Sequence, residues 1–598
     1  MCRTPVNRWG IFSGVLVLIS TVTALAASPA PEQLFPATTT EFVAISDVNR
    51  MTAAWQITQF ARLLHDPTME AFLNDLYGQT KGFNFLLDTI GCDFEMVKAA
   101  AGGELGWGVV LVNPQEVAHV LTLDITGRTP QAQALLNEIA KQLHKKGAQW
   151  DRRMLDGGMQ TIVARLPNQI QLVYGLKDSV LVISDHLPTV QGLLARWVGT
   201  ATNSLANVPA YRAVRRKSQP LAGETEMIRF YFEPTNRMEA LMIYFPDMKK
   251  VKGDNLVQVM RKEGVDGIKG VGGVIAFRTN NTDMLIRVST FGPQPFQGAM
   301  RMARFPNVAP ITPDSWVPAD LSSYLTFGLD LVNAFDSFDT FFERVTDEPP
   351  GTFKAIMDSV RDDKDGPQVD IRRDIMERLQ PRVTLVNDAT LPAAPKCERY
   401  LVGIPAKSPE DEKVLAEAIR KCFETDRRFK AKNYQGITVW EYQARVKQRK
   451  SGKPTKVDVP GLCITVCRGH LFIATNFGLL ERILNNQDQL AQSTDFQRMM
   501  RELTRLGMGP SSFRGFIRTD VAAQATYEMI QSNRVDQANS VYGWLLTKVL
   551  KDASSGKMLA DGRKLPPYDR LTKYLSTAGG FGRDDGDGWT FVGVVLDK

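Results

Sequence analysis

Leu34-Phe35-Pro36-Ala37-Thr38-Thr39-Thr40-Glu41-Phe42-Val43-Ala44-Ile45-Ser46-Asp47 has an echo later in the chain, at Trp316-Val317-Pro318-Ala319-Asp320-Leu321-Ser322-Ser323-Tyr324-Leu325-Thr326-Phe327-Gly328-Leu329-Asp330. Each copy is a Pro-Ala turn, a polar run and an apolar strand that opens on an aromatic and ends near an aspartate. Asp47 and Asp330 stand where a strand gives way to a helix, so an N-cap or turn role is expected of them rather than a shared acid site.

Working outward, further pairs recur in the same order. Thr129-Pro130 returns as Ser408-Pro409, each expected to cap an amphipathic helix, and Gly158 before a strand returns as Gly436. Ile170–Leu176 and Val180–Asp185 return as Gly461–Cys467 and Leu471–Asn476; Ala210-Tyr211-Arg212 returns as Asp495-Phe496-Gln497. Gly272-Gly273 and Gly579-Gly580 each precede a terminal hairpin. The spacing between partners grows in steps from roughly 280 to roughly 307 residues, the mark of a repeat carrying insertions. Those insertions fall near Glu441–Pro460 and Arg534–Pro566.

Within the first copy, the 3.6-residue periodicity predicts one helix over Met51–Leu64, with Ile57, Phe60 and Leu64 on its buried stripe, and a second after Asp66-Pro67 burying Met69, Phe72, Leu73 and Leu76. Hairpins are expected through Asn113-Pro114 and Asn280-Asn281, and strands over Thr161–Arg165, Ile170–Leu176 and Val180–Ser184. Hairpins alternating with capped helices, without a regular βαβ rhythm, argue for α+β rather than a doubly wound parallel sheet.

The chain has 598 residues, 43% hydrophobic and 23% charged, enough for several packed cores. A formal charge of +7 is too small for its length to suggest a nucleic-acid binder. Arg3 and Arg8, the apolar run Ile11–Val22 and Ala24-Leu25-Ala26 make a signal peptide over residues 1–26, cut after Ala26, with an uncleaved anchor as the alternative. Residues 27–33 read as a tether, 34–290 as a first α+β unit, 291–315 as a Pro-rich linker and 316–598 as a second unit. No later stretch is long and apolar enough to span a membrane. The expected location is secreted or periplasmic.

Beyond Cys2 there are five cysteines, Cys92, Cys397, Cys422, Cys463 and Cys467. Cys463 and Cys467 fall on one strand face about 13 Å apart, too far for a bridge. Buried free thiols are expected, with a Cys397–Cys422 bridge left open.

The Pro-Ala turn, the aromatic-led strand ending in Asp-Val or Asp-Leu, and the continuation Leu63-Leu64-His65-Asp66-Pro67-Thr68-Met69 resemble a family of large secreted bacterial proteins of unknown function, chiefly of planctomycete type. The resemblance implies an exported protein of duplicated α+β units and carries over no catalytic residue.

Few residues point to chemistry. His65, His119, His144, His186 and His470 show no HxH or HExxH spacing, and His186 and His470 are expected to be solvated at strand ends. Gly509-Pro510-Ser511-Ser512-Phe513 lacks the second glycine of a nucleophile elbow, and Ser554-Ser555-Gly556-Lys557 reads as a loop. The glycines from Gly264 to Gly273 fit no phosphate-binding pattern and suit a strand bend or close packing. In the acidic turns around Asp363 and Asp585, Arg361 and Arg583 occupy the first calcium-ligand position. What stands out is a cationic run within the first insertion, Arg445, Lys447, Arg449, Lys450 and Lys453, which would suit an anionic envelope component or a plain solvated loop.

The sequence therefore predicts two tandem diverged copies of an α+β unit, each an antiparallel sheet with helices packed on one face. The expected function is non-catalytic binding or scaffolding in the cell envelope. A carrier of an apolar ligand such as lipid, and a hydrolase with a dispersed site, are the alternatives. No cofactor, metal site or catalytic residue is assigned.

Overall fold

The structure, a computed structural model, describes residues 28–79, 94–244, 254–309, 312–443 and 461–598, apart from 538–542, 544, 545, 548, 549 and 552–555. The signal segment, Cys92, the cationic run at 445–453 and Ser554-Ser555 lie outside the described residues.

The chain is α+β, built on one antiparallel sheet of 20 strands. Ten belong to the first half: β1 (Thr39–Ile45), β2 (Leu105–Asn113), β3 (Glu116–Asp124), β4 (Gln149–Leu155), β5 (Met159–Arg165), β6 (Gln171–Lys177), β7 (Val180–Ser184), β8 (Ile228–Phe232), β9 (Gly270–Thr279) and β10 (Thr282–Phe291). Ten belong to the second: β11 (Ser323–Gly328), β12 (Arg382–Ala389), β13 (Glu398–Pro405), β14 (Phe429–Tyr434), β15 (Ile437–Tyr442), β16 (Cys463–Cys467), β17 (His470–Ala474), β18 (Phe513–Arg518), β19 (Thr577–Asp584) and β20 (Trp589–Leu596).

From the outer edge inward the first half runs β4-β5-β6-β7-β3-β2-β1-β8-β9-β10. The second runs β14-β15-β16-β17-β13-β12-β11-β18-β19-β20, the same order. The halves meet where β10 pairs with β20, Arg287 facing Val592. Those two residues hold equivalent places, since Arg287 also faces Val274 on β9 and Val592 faces Phe581 on β19. A local two-fold axis therefore passes between them.

Helices cover both faces of the sheet. In the first half Leu34 of α1 (Pro31–Leu34), with buried side chains of α7 (Leu187–Trp197) and α8 (Pro209–Lys217), packs on Phe42, Val120, Val173 and Val182. On the opposite face α2 (Val48–Gln56), α5 (Phe94–Ala100) and α6 (Thr129–Lys145) pack on Leu121, Leu123, Tyr174, Leu181 and Ile183. The expectation of helices on one face is corrected by the strands themselves. Leu172-Val173-Tyr174 and Val180-Leu181-Val182-Ile183 are unbroken apolar runs, the pattern of strands buried on both sides.

The opening motifs behave as read. Pro36 and Pro318 occupy matching bridges, to Ser204 and Gln489. Asp47 accepts from the Arg50 amide and so N-caps α2, and Asp330 accepts from the Asn333 amide to N-cap α11 (Leu331–Asp336). Gly273 and Gly579 are required by close approach: a Cβ would fall 1.9 Å from the Arg287 carbonyl oxygen at the first and 2.7 Å from the Met499 sulfur at the second.

Other local expectations are corrected. The helix expected over Met51–Leu64 breaks at Ile57-Thr58, because Thr58 caps a new one, α3 (Gln59–Leu64), through the Ala61 amide. The turn rotates Ile57 and Phe60 outward, 48% and 54% exposed. Thr129 does not cap α6 but is its first residue, with Arg128 at the N-cap, whereas Ser408 does cap α14 (Pro409–Glu424). Part of the expected tether is folded, since Glu32 ion-pairs with buried Arg229 at 2.7 Å.

The helical segments that follow β1 and β11 each reach into the opposite half. Met69, Phe72 and Leu73, in and just before α4 (Glu70–Gln79), pack on Ile530, Val535, Leu565 and Leu571. Conversely Arg344 of α12 (Asp339–Thr346) bonds Glu263 at 2.5 Å, and Arg301 bonds Asp339 at 3.0 Å.

Candidate ligand-binding site

Beneath the Pro-rich connector lies a cleft of about 710 Å³. The connector supplies Gln294, Arg304, Phe305 and Pro306, and α11 supplies Asp330, Leu331 and Val332. Met376, Leu379, Pro381, Lys407 and Asp584 complete the lining. The connector is thus folded into a wall. The Asp330 amide donates to the Arg304 carbonyl at 3.0 Å, and Asn307 and Asp584 bond each other twice, at 2.8 and 2.9 Å. Gly328 lets the connector come this close, since a Cβ there would sit 2.3 Å from the Pro306 carbonyl oxygen.

Most of the lining is apolar, with a few polar groups at the rim, a common composition for ligand sites of this size. Its two carboxylates already accept backbone amides: Asp330 from Asn333 at 3.0 Å and Asp584 from Gly586 at 2.8 Å. The two cations are less engaged. Arg304 is exposed and its guanidinium makes no ion pair with another described residue. Lys407, also exposed, donates to the Glu377 carbonyl at 2.6 Å. The lining contains no serine, cysteine, histidine or tyrosine that would serve as a nucleophile or a base near neutral pH.

The apolar surface continues beyond the cleft. Phe305 meets Trp589 edge-on at 6.0 Å. Phe591, on the same strand face as Trp589, is 37% exposed and meets Phe513 edge-on at 6.0 Å. Ile286 and Val288 on the neighbouring β10 are half-buried on that face.

The histidines expected to be solvated are not. His186 bonds the Thr189 hydroxyl at 2.7 Å. His470 accepts from the Trp316 indole at 3.3 Å, lies 3.6 Å from Asp314, and stacks on Phe472. Strand-end position misled here, because Asp314 and Trp316 arrive from a distant segment. Asp314 is pushed up by burial, yet the nearby His470 and Arg382 outweigh this and hold it below the usual carboxylate range.

One histidine is aligned as a catalytic base would be. His119 Nδ1 lies 2.8 Å from Asp185, whose other oxygen accepts the His119 amide at 2.7 Å, and the Tyr244 hydroxyl lies 3.3 Å from Nε2. Burial pushes that hydroxyl above its ordinary range, away from the phenolate a nucleophile would need, and the cleft lies elsewhere.

Among the described residues no group of three or more His, Cys, Asp or Glu side chains is arranged to hold a metal. Cys397, Cys422, Cys463 and Cys467 are free thiols, so the open Cys397–Cys422 bridge is not formed. No helix among the described residues is long and apolar enough to cross a membrane. The cleft was not legible in the sequence, because the linker reading treated Arg304-Phe305-Pro306 as a spacer. No protein-family model, curated protein or solved structure matches this chain.

Proposed function

We propose that this chain is an exported, non-catalytic protein of the cell envelope that binds an amphiphile carrying a long apolar chain and an anionic head. The observation that carries the reading is the cleft of about 710 Å³, lined mostly by apolar side chains with Arg304 and Lys407 exposed among its polar groups, which Phe305 links through buried Trp589 to the partly exposed Phe591. A chain of methylenes gains roughly 0.8 kcal/mol for each CH2 it buries on such a surface. Arg304 and Lys407 would meet the head group. The envelope location rests on the N-terminal pattern Arg3, Arg8, Ile11–Val22 and Ala24-Leu25-Ala26, and the kinship on the resemblance to secreted bacterial proteins.

Two measurements test this. Native mass spectrometry of the protein from its own host should show a bound lipid mass. The stripped protein should bind a fluorescent fatty acid saturably, about tenfold or more weakly in the Arg304→Glu/Lys407→Glu variant, since a charge-assisted hydrogen bond contributes about 1.5–3 kcal/mol. Absence of both lipid and saturable binding would sink the proposal.

A further inference from the structure

The two ends of the sheet are equivalent in topology and different in charge pattern. Among the described residues β4 pairs only with β5, and β14 only with β15, so each turns one row of backbone amides and carbonyls outward. Proteins commonly guard such edges with lysine. β14 follows that rule, with Lys430 and Lys432 flanking Ala431. The matching residues of β4 are Asp151 and Arg153 flanking Arg152, because Arg152 faces Ile162 and Ala431 faces Trp440 in equivalent registers. Unlike β14, β4 also leaves large apolar side chains outside, Trp150 at 41% and Met154 at 68% exposure.

We propose that β4 is the docking edge for a second copy of this chain, paired antiparallel about a two-fold axis at Arg152. Symmetry requires such an axis to pass through a residue facing itself. Centring it on Arg152 places Asp151 opposite Arg153 of the second copy, twice, and Trp150 opposite Met154, twice. Cross-strand pairs of opposite charge, and of sulfur with an aromatic, are both stabilising. Moving the axis to Asp151 or Arg153 loses both sets of pairs. The same register at β14 would place Lys430 opposite Lys432, so the second edge repels its own copy. Asp151 and Arg153 bond each other at 2.6 Å within one chain and are each 42% exposed, free to exchange partners without unburying anything. The one unfavourable element is Arg152 facing its own copy, which keeps the association reversible.

Sedimentation velocity of the mature full-length chain over a concentration series reads this directly, and all of the substitutions lie on exposed or half-buried positions of an edge strand. Wild type should dimerise reversibly. Asp151→Lys or Arg153→Asp alone should raise the dissociation constant about tenfold or more, and the double variant Asp151→Lys/Arg153→Asp should restore it. Arg152→Thr should tighten the dimer, and Lys430→Glu on β14 should leave it unchanged. A chain that stays monomeric at about 100 μM overturns the proposal. So does a dimer whose dissociation constant ignores the single reversals, or one that the double variant fails to rescue.

Discussion

Glu224 is the side chain whose removal should tell most about how the halves are joined. Its two oxygens accept from Arg287 Nε at 2.8 Å and Nη2 at 2.6 Å, and one of them also accepts the Leu221 amide at 2.9 Å. Arg287 and Glu224 side chains are 8% and 3% exposed, and Arg287 sits on the seam strand β10 at the local two-fold axis. Glu224→Ala strands a guanidinium in the middle of the sheet, and breaking a buried pair in this way costs about 3–5 kcal/mol. The chain carries its own remedy, because the equivalent residue on β20 is Val592. Glu224→Ala/Arg287→Val should therefore recover most of the loss, since well-packed apolar groups can replace a buried pair nearly neutrally. Urea unfolding gives the stability change, and hydrogen exchange of the amides in 282–291 locates it at the seam. A loss below about 1 kcal/mol for the single variant, or a double variant no better than the single, would refute the reasoning. Protonation offers a second check. Burial pushes the Glu224 carboxyl up, but its bonds from Arg287 and the Leu221 amide outweigh this and hold it below the usual range. A carboxylate depressed in the folded state stabilises fully above its unfolded value, about 4.3, and loses that contribution as pH falls through the folded value. Wild type should thus lose more stability below about pH 4 than the Glu224→Ala/Arg287→Val variant.

Three further outcomes follow from the geometry. Asp330→Ala removes the cap of α11 and should cost about 1 kcal/mol in denaturant unfolding, while Asp330→Asn, which can still accept the Asn333 amide, should cost less. Gly273→Ala should destabilise more than Gly579→Ala, by about 1–3 kcal/mol against a smaller loss, because the first Cβ would fall 1.9 Å from the Arg287 carbonyl oxygen and the second no closer than 2.7 Å to the Met499 sulfur and 2.9 Å to the Gly515 carbonyl oxygen. Cys463 and Cys467 are pushed up to about 11 by burial, so alkylation of the native protein at pH 8 should run about two orders of magnitude slower than in denaturant.

The sheet was readable from short-range signals wherever a strand was buried or bounded by a tight turn. Val180–Ser184 and the hairpin around Asn280-Asn281 are examples, the latter placing Asn280 at φ 54°. The edges were not. Gln149–Leu155 and Phe429–Tyr434 are rich in charge because one side of each is solvated, and that hides the alternation a strand should show. Helix placement on the second face was lost for a related reason. A run such as Leu172-Val173-Tyr174 announces burial but not what buries it. The cleft is further still from local pattern, since Arg304, Leu331, Leu379 and Asp584 come from four separate segments. The strands of the two halves follow the same order, and Pro36 and Pro318 make matching bridges.

The pairing of β10 with β20 has a consequence for synthesis. Residues 282–291 leave the ribosome roughly 300 residues before 589–596, so the first half must wait with its inner strand bare. At the usual 5–20 residues per second that interval lasts about 15–60 s. During it β10, paired with β9 on one side only, offers the open edge around Leu285 and Ile286 to any passing chain, the situation in which aggregation begins. A holdase that delays folding until the whole chain is made would protect this protein more than one that hastens the first half.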